Sequence, residues 1–244
     1  MTLLSVLIPT RNEVAWLPHC VSVLSAGLRE FGPEAEIIVC DASDDESAAS
    51  ASRWVDHVVK TSRPNRSKQL NAGAQIARGD FLLFLHADSL LRPDALGELL
   101  ALCQLRREDP NFVGGWFEID LIARTDSLFD RAKLRAIAEG INFRTRLFHT
   151  ATADQGIFIR ADLFEHIGGF QDIPLFEGNA LIRQMRTRGE TEIVGASRLE
   201  ISARRWESAG PLHMTLKMYA LRAGFLAGIP PSTLARFWRS RDKK

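Results

Sequence analysis

Leu3-Leu4-Ser5-Val6-Leu7-Ile8-Pro9-Thr10-Arg11-Asn12-Glu13 decides the fold class. Leu3 to Ile8 is a short, nearly continuous apolar run, the mark of a strand buried on both faces. Pro9 is expected to end it. From Asn12 and Glu13 the spacing turns helical, through Trp16, Leu17, Val21, Leu24 and Leu28, and Gly32-Pro33 closes that helix. The same alternation continues along the chain. Glu36 to Cys40 reads as a second buried strand. Ser43-Asp44-Asp45-Glu46 caps a helix over Ser47–Trp54. Val55–Val59 is a weaker strand, Ser67–Arg78 a helix ending at Gly79, and Phe81–Leu85 a fourth strand. Pro93-Asp94 starts another helix through Leu96, Leu99 and Leu102. Strands alternating with helices predict an α/β fold with a parallel, doubly wound sheet.

After Pro110 the rhythm changes. Val113–Ile122 is expected to be an antiparallel strand beside an open cleft, and Asp126–Glu139 a basic amphipathic helix. A short strand over Ile157–Ile159 precedes Asp162–Ile167 and the turn Gly168-Gly169. Glu177–Arg188 reads as a helix ending at Gly189. Pro211–Gly228 is a nearly uncharged helix before a basic tail of Arg236, Arg239, Arg241, Lys243 and Lys244. No linker-like stretch divides the chain, so one domain over 1–210 with an appendage over 211–244 is expected.

Composition bounds the function. Over 244 residues, 45% are hydrophobic and 25% charged, as in ordinary globular proteins, which excludes fibrous and disordered classes. A net charge of +1 gives no bulk attraction to nucleic acid. The apolar run Phe81–Leu85 is too short to span a bilayer. The first residues lack a basic region and a long apolar run, so a cleaved leader is not expected. Cys20, Cys40 and Cys103 have neither zinc nor disulfide spacing and read as buried thiols of a cytoplasmic protein.

Ligands of open parallel sheets bind beyond the carboxyl ends of the strands. Three motifs fall there: Pro9-Thr10-Arg11-Asn12-Glu13, Asp41-Ala42-Ser43-Asp44 and His86-Ala87-Asp88. Each acid alone could be a helix cap; three on one sheet edge point to a site. No glycine-rich phosphate loop follows the first strand, so neither a P-loop nor a dinucleotide fingerprint is present. A diphosphate here would need basic side chains and a divalent metal, since Mg²⁺ takes one or two carboxylates plus phosphate oxygens.

SVLIPTRNE, IIVCDASDD, Asn71-Ala72-Gly73-Ala74, Ala77-Arg78-Gly79-Asp80 and FLLFLHAD together resemble family 2 glycosyltransferases of the GT-A fold. The resemblance covers roughly 3–205. It is closest to a small soluble bacterial subgroup with an LHAD motif, a later Asp-Gln and a terminal Ala-Arg-Arg-Trp. It implies a Rossmann-like, mostly parallel sheet flanked by helices. It also implies transfer of a single sugar from a nucleotide-sugar donor, usually with inversion and Mg²⁺ or Mn²⁺.

Carried over by residue, the resemblance makes Pro9, Thr10 and Glu13 the wall around the base and ribose. Asp41 becomes the acid that reads them, with Ser43 beside it. Asp88 becomes the metal ligand ending the DxD motif. His86 stands where the first acid of that motif would be, either as a ligand better suited to Mn²⁺ than Mg²⁺ or as a hydrogen-bonding group, with Ala87 between them. In the basic run Lys60–Lys68, Arg66 or Lys68 is expected to meet the diphosphate. Asn71 and Gly73 are expected to shape the following helix and allow close approach to the donor.

The family's base is the second acid of a Glu-Asp pair starting a late helix. Here that stretch is Pro174-Leu175-Phe176-Glu177-Gly178-Asn179, with glycine at the acid's place. Asp154, followed by Gln155, and Glu177 are the two candidates. Arg205-Trp206 resembles the end of the QxxRW motif, with Ser202 in place of Gln, so processive polymer synthesis is not expected. Arg205 would neutralise the departing diphosphate and Trp206 stack on a sugar. UDP is the expected donor nucleotide, and the acceptor a small or lipid-linked molecule. With the basic tail, Leu212–Ala227 is expected either to touch the inner face of an anionic membrane or to pack on the domain. Two other activities fit the sequence: a nucleotidyltransferase, against which the missing glycine-rich loop speaks, and a sugar-nucleotide-binding protein without a base, which Gly178 favours.

Overall fold

A computed structural model describes residues 2–32, 34–123 and 127–239. Eight strands form one mixed sheet: β1 (Leu4–Thr10), β2 (Ala35–Asp41), β3 (His57–Lys60), β4 (Phe81–Phe84), β5 (Ser89–Leu90), β6 (Phe112–Ile122), β7 (Ile157–Arg160) and β8 (Glu190–Ser202). The spatial order is β3-β2-β1-β4-β7-β6-β8-β5. β3, β2, β1 and β4 are mutually parallel. β7 is antiparallel to both β4 and β6, while β6 runs parallel to β8. The helices are α1 (Leu17–Phe31), α2 (Ser47–Ala51), α3 (Arg66–Ala74), α4 (Pro93–Arg106), α5 (Leu128–Phe148), α6 (Ala161–His166), α7 (Glu177–Arg186), α8 (Arg204–Ala209), α9 (Pro211–Leu226) and α10 (Pro231–Arg239).

Both faces of the sheet are covered, which is why its central strands are mostly apolar. On one face Val6 and Ile8 pack with Leu17, Val21 and Leu24 of α1 and Leu96 and Leu99 of α4. On the other, Leu7, Ile38 and Cys40 pack with Leu70 of α3 and Leu181 and Ile182 of α7. All three cysteines are free and buried, and burial pushes Cys20 and Cys40 up to about 12.

The expected strands and helices of the first half are present, with shifted ends. β1 does not stop at Pro9 but pairs through Thr10 with Asp41. Pro9 faces β4, whose pairing has already ended at Leu7–Phe84, so its missing N–H costs no ladder bond. α1 starts at Leu17 rather than Asn12, because Asn12 takes a positive φ of 54°. α3 ends at Ala74, short of Arg78, whose backbone N–H instead meets Glu36 at 2.6 Å. β6 is antiparallel to β7, as expected, but parallel to β8.

β8 escapes sequence reading because Gly195-Ala196-Ser197 interrupts its alternation. There the Glu98 carboxylate accepts their three backbone N–H groups at 3.3, 3.2 and 2.7 Å. α5 extends to Phe148, past the expected Glu139; Asp126, its expected start, lies outside the described residues. Part of the expected basic tail is helix α10, with Leu234 and Ala235 buried. Arg241, Lys243 and Lys244 and the side chain of Arg239 lie outside the described residues.

Candidate active site

The chain winds from β1 toward β2 and β3, then reverses to β4 on the other side of β1. Such a reversal opens a crevice at the carboxyl ends of the two strands. Here the crevice is a cavity of about 190 Å³ bordered by Pro9, Thr10, Arg11 and Glu13 at the end of β1 and by His86, Ala87 and Asp88 after β4; Pro64, Arg66, Gln69, Arg204 and Arg205 complete it. The loops are stitched together. Ser43 Oγ accepts from Asn12 N at 3.0 Å, Asn12 Oδ1 from Asp44 N at 3.0 Å, and Ser47 Oγ from Glu13 N at 2.8 Å. Gln69 Nε2 donates to the carbonyls of Thr10 (2.9 Å) and Cys40 (2.7 Å), pinning β1, β2 and α3 at the rim.

Arg204 organises the acids. Its guanidinium takes both oxygens of Glu13, at 2.8 and 2.5 Å, and reaches Asp88 Oδ2 at 3.0 Å. The hydrogen bond to Glu13 holds Arg204 above its ordinary value. His86 is half-buried beside this cluster. Burial first, then the charges of Arg66, Arg205 and Arg204, hold it well below its ordinary value, so its ring is neutral at pH 7.

Of the donor residues expected from sequence, Pro9, Thr10, Glu13, Arg66, His86, Ala87, Asp88 and Arg205 converge on this cavity. Asp41 and Ser43 stand behind its rim; Asp41 Oδ1 accepts from Ser43 N at 3.1 Å and so shapes the loop that holds Asn12. Three others point elsewhere. Lys68 pairs with Asp172 at 3.1 Å. Asn71 binds the backbone N–H and carbonyl of Phe170 at 2.9 Å each. Gly73 does give close approach, but to the sheet: a Cβ there would collide with Cys40 Sγ. Sequence reading missed Gln69 and the central position of Arg204. The Arg-Arg-Trp string signals Arg204, though spacing alone does not say which arginine faces the acids.

A second cavity, of about 160 Å³, adjoins the first through Arg66, His86 and Arg205. α5, α7, α8, α9 and α10 wall it. α9 is held over α7 by the stacked rings of Phe176 and Phe225, 4.7 Å apart, and α10 is tied to α9 by Lys217 Nζ on the Trp238 carbonyl at 2.9 Å. All four residues expected to act at the reaction centre border this cavity: Asp154, Glu177, Arg205 and Trp206. Glu177 is 5% exposed and bound by Arg66 Nη1 at 3.0 Å. Asp154 Oδ1 is buried with no hydrogen-bond partner.

Gly178 has a steric reason. A Cβ there would stand 2.6 Å from Ala153 Cβ and 2.9 Å from its Cα. The short helical turn Ala153–Gln155 therefore fills the space that a side chain at 178 would take. That turn is fixed by Thr152 and Gln155, which cap each other, and by Gln155 Nε2 on the Phe117 carbonyl at 3.0 Å. Asp154 projects from it.

The sequence profile described as Glycosyl transferase family 2 matches residues 5–168. The chain belongs to glycosyl transferase family 2. Over 114 residues it is 34% identical to the uncharacterized protein MT1568 of Mycobacterium tuberculosis, a match covering 45% of this chain and 34% of that one. The fold is similar to that of S. aureus TarS solved with UDP-GlcNAc: TM-score 0.62 at 14% identity, covering 82% of this chain and 58% of TarS 1-349. It is also similar to the mannosyltransferase PcManGT of Pyrobaculum calidifontis, solved with GDP-Man and Mn²⁺: TM-score 0.56 at 18% identity, covering 90% and 64%. The chain thus spans a third of its curated relative and under two thirds of these neighbours. At such identities the likeness shows the fold, which is the expected α/β GT-A architecture.

The resemblance in sequence carries the expectation of a divalent ion, and PcManGT was solved with Mn²⁺. Among the described residues no three His, Cys, Asp or Glu side chains cluster as a metal cage. An ion shared with a diphosphate needs less, one or two carboxylates being usual. Asp88, with the neutral ring of His86 on the same cavity wall, fits that smaller requirement. Among the described residues no helix is long and apolar enough to cross a membrane.

Proposed function

We propose that this protein is a glycosyltransferase that moves a single sugar, with inversion, from a nucleoside-diphosphate sugar, UDP-linked by preference, to a small or lipid-linked acceptor. The observation that carries this is the meeting of two cavities at Arg66, His86 and Arg205: a polar one over the β1–β4 crevice and an apolar one under α9 and α10. The polar cavity suits the nucleotide and its diphosphate. The apolar one suits the acceptor.

In this reading Asp88 would hold the divalent ion, with His86 beside it; when bound, the ion neutralises charge on the departing diphosphate. Arg205 adds fixed positive charge where that negative charge grows, without reorganising during the reaction, while Arg66, its charge balanced by Glu177, borders the same place as a hydrogen-bond donor. Arg204 holds Glu13 and Asp88 in register. Trp206, only 3% exposed, forms a rigid wall rather than an open stacking surface.

Asp154 is the base. Glu177 is neutralised by Arg66, whereas Asp154 keeps an oxygen free of any partner. It also comes from the turn that takes the place of a side chain at 178, so the loss of an acid there does not by itself mean loss of a base. That weakens the binding-protein alternative. The test is to measure sugar transfer and UDP affinity in Asp154→Asn and Glu177→Gln. Asp154→Asn should lose roughly 10²–10⁴ in turnover with UDP affinity nearly unchanged. If both variants keep full turnover, the assignment is wrong.

A cytoplasmic protein touching a membrane from its inner face is the corresponding proposal for location. It is supported by Leu212, Leu216 and Leu226 of α9, which are exposed. Phosphatidylglycerol vesicles should sediment the protein at low salt and release it as salt rises; no sedimentation at low salt would remove the proposal.

A further inference from the structure

Two arginines of the apolar cavity play no part in the chemistry above. Arg144 projects from α5 and Arg222 from α9, and both border the cavity. Both are partly buried, and each is anchored by a neutral group. Arg144 Nη2 donates to Gln155 Oε1 at 2.9 Å, and Arg222 Nη2 donates to Thr150 Oγ1 at 3.1 Å. Among the described residues neither has a carboxylate within ion-pair distance. Each keeps a buried donor without a partner, Nε of Arg144 and Nη1 of Arg222.

Removing a guanidinium from water without a counter-charge is costly, so buried charges are normally paired. These two also repel each other, and burial together with that repulsion holds Arg222 below its ordinary value. The nearby acid is Asp154, which favours the charged forms of both but is bonded to neither. Around the rest of the cavity, Arg66 is cancelled by Glu177, and Arg205 also faces the donor side. With Arg205 assigned to the donor's diphosphate, Arg144 and Arg222 against Asp154 leave a single positive charge uncompensated. The remaining wall is apolar, with Ile137, Ile141, Phe176, Trp206, Met218 and Leu221.

We infer that the acceptor carries a singly charged oxyanion, a carboxylate or a phosphodiester, on an apolar body, and that Arg144 and Arg222 bind that oxyanion. This rests on the reading of the cavity as the acceptor site, but the charge match holds for any ligand that enters it. An arginine fork presents parallel N–H donors to such an oxyanion, and charge-assisted bonds of this kind are about twice as strong as neutral ones. The anion would also leave Asp154 free of the two guanidiniums' combined pull.

Calorimetric titration of the full chain tests this, using octanoate, dibutyl phosphate and neutral 1-octanol as probes, each with and without UDP and Mn²⁺. At least one anion should bind about tenfold or more tightly than octanol, and which one does so tells carboxylate from phosphodiester. Arg222→Met should erase the preference, Arg222→Lys should keep part of it, and Arg144→Met provides an independent removal. UDP affinity, measured on each variant, should match the parent and report an intact fold. Octanol binding as tightly as both anions, or a preference that survives both methionine variants, overturns the inference. If the parent fails to bind UDP yet keeps an arginine-dependent anion preference, the glycosyltransferase reading falls and the anion site stands.

Discussion

Replacing Gly178 by alanine sets two effects of opposite sign against each other. Gly178 is the second residue of α7. At an exposed helical position alanine gains roughly 0.5–1 kcal/mol over glycine, because it loses less backbone entropy on folding. Here the added methyl would lie 2.6 Å from Ala153 Cβ, 2.9 Å from Ala153 Cα and 3.1 Å from Ile157 Cδ1. Carbon atoms rest about 3.5–4.0 Å apart, so the overlap with Ala153 is close to an ångström. It falls on backbone-anchored atoms, not on the tip of a flexible side chain. Overpacking of this kind costs about 1–3 kcal/mol, which exceeds the helical gain. For a chain of this size each kcal/mol moves the melting temperature by about 2–4 °C. Gly178→Ala should therefore melt roughly 2–8 °C below the parent in a calorimetric scan. The turn that must yield is the one carrying Asp154, so sugar transfer should fall as well, while UDP affinity, set across the sheet edge, should not. Gly178→Asp, which puts an acid where the family has one, should lower turnover and not raise it. A Gly178→Ala variant that melts at or above the parent with full turnover would refute the steric account and with it the assignment of Asp154.

Two further outcomes are expected. Asp88→Ala, or EDTA on the parent, should weaken UDP binding greatly in calorimetry; equally tight metal-free binding would take Asp88 out of the ligand role. His86 titrates well below its ordinary value in the fold, so below about pH 6.5 the unfolded chain takes up a proton that the folded one refuses, and stability falls with pH by about 1.4 kcal/mol per unit. Between pH 6.5 and 5.5, where the unfolded imidazole goes from half to mostly protonated, the integrated loss is about 1 kcal/mol, so the parent should lose about 2–4 °C more in melting temperature than His86→Asn, and identical slopes would show that His86 charges freely.

The parts of the fold legible in sequence are those whose pattern follows from burial alone. β1, β2 and β4 are covered on both faces, so they are mostly apolar, with Ser5 and Glu36 bonded to each other among the exceptions, and they stand out from the helices between them. Their carboxyl ends fix where the next residues must emerge, and those residues form much of the wall of the polar cavity. Lys68 shows the limit of that logic. It lies two residues from Arg66 in the same basic run, yet the first turn of α3 carries it round to Asp172, and only Arg66 faces the crevice. Spacing along a helix of 3.6 residues per turn separates neighbours by about 100° per residue, so a basic run cannot direct all its charges to one ligand.

The apolar cavity is less legible for a different reason. Its walls come from five helices, α5 and α7 to α10, brought together by tertiary packing that leaves no periodic trace. Arg144 stands in a helix full of surface cations and Arg222 in one nearly free of charge, and in neither place does the sequence distinguish a buried guanidinium from a solvated one. Gly178 is the sharper case. As a departure from a motif it reads as a missing base; in space it is the condition for another segment to occupy the same volume. A glycine lets backbone approach, so its appearance at a catalytic position removes one side chain and at once admits the neighbours of a second. Here the neighbour is Ala153, and the next residue along the chain is an aspartate whose oxygen has no other partner. Loss of function and relocation of function thus give the same sequence at position 178, and they differ only in what packs against it.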